Sequence, residues 1–358
     1  MSEYRKATVE DTEQWGQGAQ LASLTFMDGT GGTGIAFEQL TGTVAPGDEV
    51  VANTTAVDLG LGTGGYHFIL WNLSRDYLDT GAAGHIMKLR YTPLQLNVEA
   101  VEERLGDLEP HDLAAALEGM PVVAGSLHSQ LLPVALAYRH AKPDGRLVYV
   151  MTDGGSLPAA FSKTVRFVRE RGLVTATITC GHAFGGDLEA INVHGALVAA
   201  RKVCGADAAV VLMGPGIVGT GSAVGFSGVE QAAVINAAAS LGGYPVAIAR
   251  ITFGDPRARH QGISHHTVSA LGLVTGARAR VALPLLAGDK KELVARQLQE
   301  AGIRASHDVV ELDARAVLEL LSGCGFKATV MGRDVSQEPE YFMAAGAAGL
   351  LAAETGGD

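Results

Sequence analysis

Short apolar runs alternate with helix-like segments along the chain between Pro121 and His266. Each run rises to a cluster of histidine, aspartate or glycine, and a helical pattern follows. The runs are PVVAGSLHS, RLVYVMTDGGS, TATITCGHAFGGD, AAVVLMGPGIVGTGS and PVAIARITFGDPRARHQGISHH. Strands separated by helices of this length pair in parallel through right-handed crossovers. The pattern therefore predicts an α/β fold with a doubly wound, mostly parallel, Rossmann-like sheet, in preference to a TIM barrel.

The first hundred residues follow another pattern, in which short β-branched or aromatic runs are separated by glycine turns. LASLTF, DGTGGTG, IAFEQL and APGDEVVANTTAV succeed one another in this way. Turn signals at this spacing are typical of a small antiparallel barrel or sandwich. We therefore predict a β-barrel or β-sandwich domain over residues 1–110 and a Rossmann-like α/β domain over residues 111–358.

Helical periodicity predicts seven helices in the α/β part. They span residues 130–141, 157–171, 188–203, 228–241, 266–276, 290–302 and 340–353. Ser227 followed by Glu230 is a capping-box pattern, which assigns the Glu230 carboxylate to the helix start. The last helix, with FMAAGAAGLLAA, is rich in small residues that permit close packing on a second copy of the chain. A homo-oligomer is therefore one expectation.

Composition restricts the classes of protein. Of the 358 residues 47% are hydrophobic and 18% are charged, which suffices for buried cores. The net charge is −11, and residues 1–110 hold 16 acidic and 6 basic side chains, a net −10. Such an acidic part disfavours a nucleic-acid partner, and no apolar stretch reaches the roughly 20 residues of a membrane span. With Cys180, Cys204 and Cys324 unclustered, we expect a cytoplasmic protein.

Gly214, Gly216 and Gly219 satisfy GxGxxG after an apolar strand. The loop continues through SAVGFSG before the helix, and no acidic residue follows about 20 positions later, so NAD is not expected as cofactor. The backbone amides of a wide glycine loop can instead hold an anion of the substrate, with Thr220 and Ser222 as further donors. An ordinary glycine-rich connection is the equally weighted alternative.

Imidazole and carboxylate groups end three successive predicted strands. They are His128, Asp153, His182 and Asp187. These are ligand types of zinc, manganese or iron, so a divalent metal is one candidate cofactor. His128, Asp153 and His182 are also candidates for acid/base catalysis. A core histidine, a turn-forming Asp153 and a helix-capping Asp187 are the ordinary structural alternatives.

The segment GDPRARHQGISHHT concentrates cationic and titratable groups within ten residues. They are Arg257, Arg259, His260, His265 and His266. Because guanidinium groups bind oxyanions bidentately, we expect Arg257, Arg259 and His265 to bind substrate, with His260 as a further clamp or catalytic group. Adjacent helix positions point about 100° apart, so His265 and His266 are not expected to serve one ligand. A solvated loop capped by Ser264 is the alternative.

Several motifs in order resemble the bacterial domain of unknown function 3866 family. They include NTTAVDLGLGTGGYHF, GHIMKLRYTPLQ, GSLHS, MTDGGSLPAAFSK, GHAFGGDLEA, MGPGIVGTG with GFSG, and DPRARHQGISHHT. The likeness covers nearly the whole chain. It implies a bacterial cytoplasmic protein, and it assigns neither a reaction nor a catalytic residue.

The motifs favour a small-molecule enzyme whose site lies at the carboxyl ends of the α/β strands. The absence of GxSxG and of a P-loop sets aside serine hydrolases and P-loop NTPases. We expect a phosphorylated or carboxylated substrate, with metal-assisted hydrolysis or group transfer as one chemistry. The alternative is a non-catalytic sensor that binds a nucleotide-like small molecule.

Overall fold

The structure is a computed structural model that describes residues 3–62, 64–81, 83–106 and 112–355. The chain divides into two compact units. One comprises Met1–Ala100 and Pro158–Arg166, and the other comprises Val101–Leu157 and Phe167–Asp358. Within the described ranges, no helix combines the length and the apolarity that crossing a membrane requires.

The first unit is built on a closed five-stranded barrel, which confirms the predicted barrel. Its strands are β1 Tyr4–Gln14, β2 Ala19–Phe26, β3 Gly31–Phe37, β4 Glu49–Asn53 and β5 Tyr66–Asn72, in the order β1-β2-β3-β5-β4. Helix α1 (Glu38–Thr41) follows β3, α2 (Thr55–Asp58) follows β4, and β6 (Ile86–Lys88) pairs with β7 (Leu96–Val98). Because β5 returns between β3 and β4, it runs parallel to β3, and the barrel is mixed.

Apolar side chains cover both the inside and one outer face of this barrel. The interior cluster includes Leu24, Phe26, Val50 and Ile69. A second cluster on the outer face of β2, β3 and β5 includes Ile35, Phe37 and Phe68. Phe161 of the segment Pro158–Arg166 packs on Phe37 and Phe68, with ring centroids 6.5 and 6.1 Å apart. Small Greek-key barrels often bind ligands on the face of their second and third strands, and here the chain covers that face itself.

The second unit contains an eight-stranded parallel sheet. Its strands are β8 Pro121–Ala124, β9 Leu147–Thr152, β10 Ala176–Thr179, β11 Leu188–Glu189, β12 Ala208–Met213, β13 Tyr244–Ile248, β16 Arg280–Pro284 and β17 Asp308–Leu312. They lie in the order β11-β10-β9-β12-β8-β13-β16-β17. Two small antiparallel pairs accompany the sheet, β14 (Ile251–Thr252) with β15 (Gly262–Ile263) and β18 (Thr329–Val330) with β19 (Arg333–Asp334). The predicted parallel sheet is confirmed.

Helices surround the sheet. They are α3 Glu102–Leu105, α4 Leu131–Ala141, α5 Lys163–Glu170, α6 Val193–Lys202, α7 Glu230–Ser240, α8 His265–Thr267, α9 Gly288–Glu300, α10 Ile303–Ser306, α11 Ala316–Gly323 and α12 Pro339–Thr355. One core cluster joins α6, α7 and α9 to alternate residues of the strands, such as Val122, Ala124, Val148 and Val150. The intervening strand residues point to the opposite face, because the period of a strand is two. Every residue of β8, β9 and β12 is buried, as expected for a sheet covered on both faces.

The small residues of α12 are used inside the chain. A Cβ at Gly349 would lie 2.4 Å from the Val134 carbonyl oxygen of α4, and one at Gly346 would lie 2.4 Å from the Val317 side chain of α11. These close approaches explain the composition of the helix without a second subunit. The small residues of α12 therefore no longer support a homo-oligomer, which stays a prediction.

Candidate functional site

The candidate site lies at the carboxyl ends of four neighbouring strands. β9, β12, β8 and β13 are adjacent in the sheet, so the loops that follow them share one edge. These loops carry Asp153, Gly214, His128 and Arg250, in that order across the sheet. Ligands of open α/β sheets bind at this edge. Sequence reasoning thus located the edge, but it did not single out Arg250.

Arg250 is a buried arginine whose bidentate edge has no partner among the residues that the structure describes. Its side chain follows β13 and the residue is only 2% exposed. Nη1 lies 2.9 Å from Nδ1 of His266, whereas Nε and Nη2 are buried with no hydrogen-bond partner among the described residues. In Arg257, Arg278 and Arg315 the same Nε and Nη2 edge grips a carboxylate. Arg250 therefore presents an unpaired fork of the kind that binds two oxygen atoms.

Three histidines surround this arginine. Ser264 caps α8 by accepting a hydrogen bond from the His266 amide, and its hydroxyl lies 2.8 Å from Nδ1 of His260. Burial, and next the charge of Arg250, lower the pKa of His260 and of His266 to about 3. Burial, and next the charge of Arg259, lower the pKa of His265. The histidines are therefore neutral near pH 7.

The rings of His265 and His266 converge, although adjacent helix positions led us to expect that they do not serve one ligand. Their ring centroids are 4.4 Å apart, and one ligand atom from each of His260, His265 and His266 lies within 4.8 Å of the others. The helical angle separates the Cβ atoms, but each imidazole extends two bonds further and turns back toward its neighbour. Nε2 of His265 is buried without a partner in the described part of the chain, so it is a further group able to meet a ligand.

The arginine loop between β14 and β15 divides into a paired and an unpaired arginine. Arg257 grips the buried Asp255, which also contacts Arg333, and Arg333 in turn contacts the buried Glu338. A substrate would therefore have to compete with Asp255 for the Arg257 guanidinium, which we predicted to bind it. Arg259 is exposed and, across the described residues, has no carboxylate within ion-pair distance.

The glycine loop forms a small hairpin rather than an open cradle of amides. Gly219 bridges to Phe226, and the Ser227 amide donates to the Val218 carbonyl oxygen at 2.9 Å. At its tip the Thr220 and Ser222 hydroxyls are 3.1 Å apart, and the Ser222 hydroxyl also accepts from the Gly225 amide. The predicted anion donors Thr220 and Ser222 thus stabilise the hairpin itself.

The glycines of this loop permit close approaches of other groups. A Cβ at Gly214 would lie 2.1 Å from the Ser156 carbonyl oxygen, so the loops after β9 and β12 pack backbone to backbone. Gly216 has φ +99°, which favours glycine. Gly221 lies beside the Arg259 guanidinium, 3.2 Å from Nη1 to its ideal Cβ position. The glycine loop and the arginine loop therefore meet at Arg259.

His128 is held at the junction of β8 and β12. Its Nδ1 lies 3.1 Å from the Met213 carbonyl oxygen, an acceptor, so Nδ1 carries the proton. Burial lowers the pKa of His128 to about 4. The Tyr149 hydroxyl is 3.4 Å from the same nitrogen and donates to the Leu212 carbonyl oxygen at 3.3 Å. His128 is therefore a neutral, oriented imidazole.

The other predicted acidic and histidine residues separate into two places. Asp153 accepts a hydrogen bond from the His182 backbone amide at 2.9 Å, so these two junctions meet. Asp187 instead accepts from the Thr177 amide and hydroxyl and pairs with Arg169, and it caps no helix. Among the described residues, the group that could hold a metal ion consists of His260, His265 and His266. It contains none of the four predicted ligands, which are His128, Asp153, His182 and Asp187.

Glu230 is a candidate acid/base group that sequence reasoning assigned to a capping box. The capping assignment is wrong, because the Glu230 side chain turns away from Ser227 and accepts from the Thr152 hydroxyl at 2.5 Å. Gly154 leaves the space that this carboxyl fills. Burial, and to a smaller extent the charge of Asp153, raise the pKa of Glu230 to about 7. Its neighbour Gln231 donates to the Ala124 and Ile248 carbonyl oxygens, which fixes the helix start at the ends of β8 and β13.

The electrostatics of the histidine group favour an anion over a metal ion. Arg250 donates to Nδ1 of His266, which leaves a proton on Nε2, and metal binding needs a lone pair there. Arg250, Arg257 and Arg259 also place positive charge around the three rings. A divalent cation would be repelled, whereas an oxyanion would be attracted.

The fold and the site define a Rossmann-like α/β protein that carries a five-stranded barrel and a cluster of arginines and histidines at the carboxyl edge of its sheet. A comparison with protein families matches residues 33–349 to the family described as "Protein of unknown function (DUF3866)". The chain belongs to this family. A search of curated proteins found no match.

Proposed function

We propose that this protein is a small-molecule enzyme that binds an oxyanion-bearing substrate, phosphorylated or carboxylated, at the carboxyl edge of its parallel sheet. The observation that carries the proposal is the open Nε and Nη2 edge of the buried Arg250. Burying a cation without a partner costs several kcal/mol, so a protein that retains one gains something other than stability from it. An oxyanion in the fork would supply the missing partner.

The enzymatic part of the proposal rests on Glu230. A carboxyl group whose pKa lies at about 7 can both give and take a proton near neutral pH. His128 and Asp153 follow β8 and β9, which flank β12, so they lie at the same edge and stay candidates for acid/base work. The alternative of a non-catalytic sensor shares the Arg250 fork and lacks turnover.

The test uses full-length protein in a thermal-shift screen of phosphorylated and carboxylated small molecules. A ligand at a hundred times its Kd adds about 2.7 kcal/mol to the free energy of unfolding. We expect such a ligand to stabilise the wild type and Arg315→Lys, an exposed control, but not Arg250→Lys, which keeps the charge and loses the fork. Equal stabilisation of Arg250→Lys contradicts the proposal.

Turnover of the same ligand separates the enzyme from the sensor. We expect Glu230→Gln to bind the ligand and to lose turnover. Binding that is never followed by turnover in the wild type favours the sensor.

The cellular setting is part of the same proposal. We place the protein in a bacterial cytoplasm, as the family resemblance implies. Cys204 and Cys324, which form no disulfide, fit a reducing compartment.

A further inference from the structure

We infer that the oxyanion is a doubly charged phosphate monoester, held between Arg250 in the interior and Arg259 at the rim. This inference rests on the proposed function, because it names the substrate class of the same site. It uses the balance of charge around the three histidines and the positions of the two arginines that no carboxylate neutralises.

The charges around the site are four guanidinium groups and two carboxylates. Arg257 and Arg333 are neutralised by Asp255 and Glu338, with which they form a continuous chain of ion pairs. Arg250 and Arg259 remain, and within the described part of the chain neither has a carboxylate partner. Two uncompensated positive charges match a dianion better than a carboxylate, which carries one negative charge.

His265 links the two arginines. Both Arg250 and Arg259 act on the pKa of His265, so this imidazole lies in the field of both. Its buried Nε2 has no partner among the described residues. A tetrahedral phosphate that fills the Arg250 fork with two oxygen atoms keeps two more for His265 and Arg259. A planar carboxylate that fills the fork has no oxygen left for them.

Most titratable groups that face the site keep one charge between about pH 5.5 and pH 8. They are His260 and His266 with a pKa of about 3, Asp255 with a lowered pKa, and Tyr341 of α12 with a raised pKa. Burial lowers the pKa of His265, and Glu230 at the same edge, with a pKa of about 7, loses its proton within this range. The second pKa of a phosphate ester is about 6. Sulfate senses the same protein groups at both pH values, so a gain in phosphate affinity relative to sulfate reports the second negative charge of the ligand.

The experiment measures the affinities of inorganic phosphate, sulfate and acetate for the full-length protein by calorimetry at about pH 5.5 and pH 8. Sulfate is a dianion at both values and serves as the reference. We expect the ratio of phosphate affinity to sulfate affinity to rise about tenfold toward the higher pH, and acetate to bind at least about tenfold more weakly than sulfate.

The Arg259→Gln variant isolates the second charge. We expect it to lower the sulfate affinity about tenfold, to leave acetate unchanged, and to abolish the pH dependence of the ratio of phosphate affinity to sulfate affinity, with Arg315→Gln as exposed control. Acetate that binds as tightly as sulfate, or Arg259→Gln without effect, overturns the inference and leaves the proposed function standing. No binding of any of the three anions by the wild type overturns both.

Discussion

The ring of Phe226 lies flat on the imidazole of His266, with centroids 4.0 Å apart and planes 6° from parallel. Phe226 ends the glycine hairpin, and His266 accepts from Arg250. The hairpin and the oxyanion site are therefore joined through one stacked pair of rings. The orientation of His266, and through it that of Arg250, depends on this contact.

Replacing Phe226 tests this connection. We expect Phe226→Ala to lower the free energy of unfolding by about 3 kcal/mol, since a buried ring is lost, and to weaken sulfate binding. Phe167→Ala is the control, because Phe167 stacks on Phe326 and has no ring contact with the three histidines. Urea unfolding and calorimetry at low temperature give the two quantities. Unchanged sulfate affinity in Phe226→Ala would show that the stack does not orient the site.

The raised pKa of Glu230 predicts a loss of stability at alkaline pH. The carboxyl has a pKa of about 7 in the folded chain and an ordinary value of 4.5, so the folded state retains a proton that the unfolded state releases. Its contribution is fully present below about pH 4.5 and disappears as the pH rises through 7. We expect the wild type to lose about 2 kcal/mol relative to Glu230→Gln between about pH 5 and pH 9.

Urea unfolding at each pH gives this difference directly. Glu319→Gln on α11 is the matched control, because Glu319 is exposed. Parallel stability curves for wild type and Glu230→Gln would show that the carboxyl ionises as freely in the folded chain as in the unfolded one.

Metal analysis distinguishes the oxyanion site from a trihistidine metal centre. After dialysis against zinc and then metal-free buffer, we expect protein purified without a histidine tag to retain no more zinc than His260→Gln does. The reason is the arginine charge around the rings. One equivalent of zinc in the wild type that His260→Gln loses would assign the cluster to a metal. Zinc lost only in His128→Ala and His182→Ala would support the other predicted ligand set.

Much of the fold follows from local pattern. The fully apolar run AAVVLM predicts a strand covered on both faces, and β12 is such a strand. The helices predicted over residues 228–241 and 340–353 correspond to α7 and α12. The segment Pro158–Arg166 could not be assigned to the barrel, because its partners Phe37 and Phe68 lie far away in sequence and periodicity carries no pairing information.

The sheet edge that carries the candidate site follows from the strand pattern, whereas two of its residues do not. Arg250 interrupts the apolar run VAIARIT, and an arginine inside such a run is rarely buried without a partner. The arginine within this run is therefore a sequence signal for the site, beside the denser cationic loop that follows it. The role of Glu230 could not be predicted, because the Ser227 and Glu230 spacing fits a capping box equally well whether or not the carboxyl contacts Thr152. His265 and His266 converge through side-chain rotamers, which a helical wheel omits.

The cover that Phe161 provides for the barrel has a consequence for synthesis of the chain. Phe161 leaves the ribosome only after β8 and β9 of the parallel sheet have been made. Until then the outer face around Ile35 and Phe37 meets water, so the barrel that is encoded first cannot be the first element to finish. Completion of the amino-terminal unit therefore waits for a strand of the other unit.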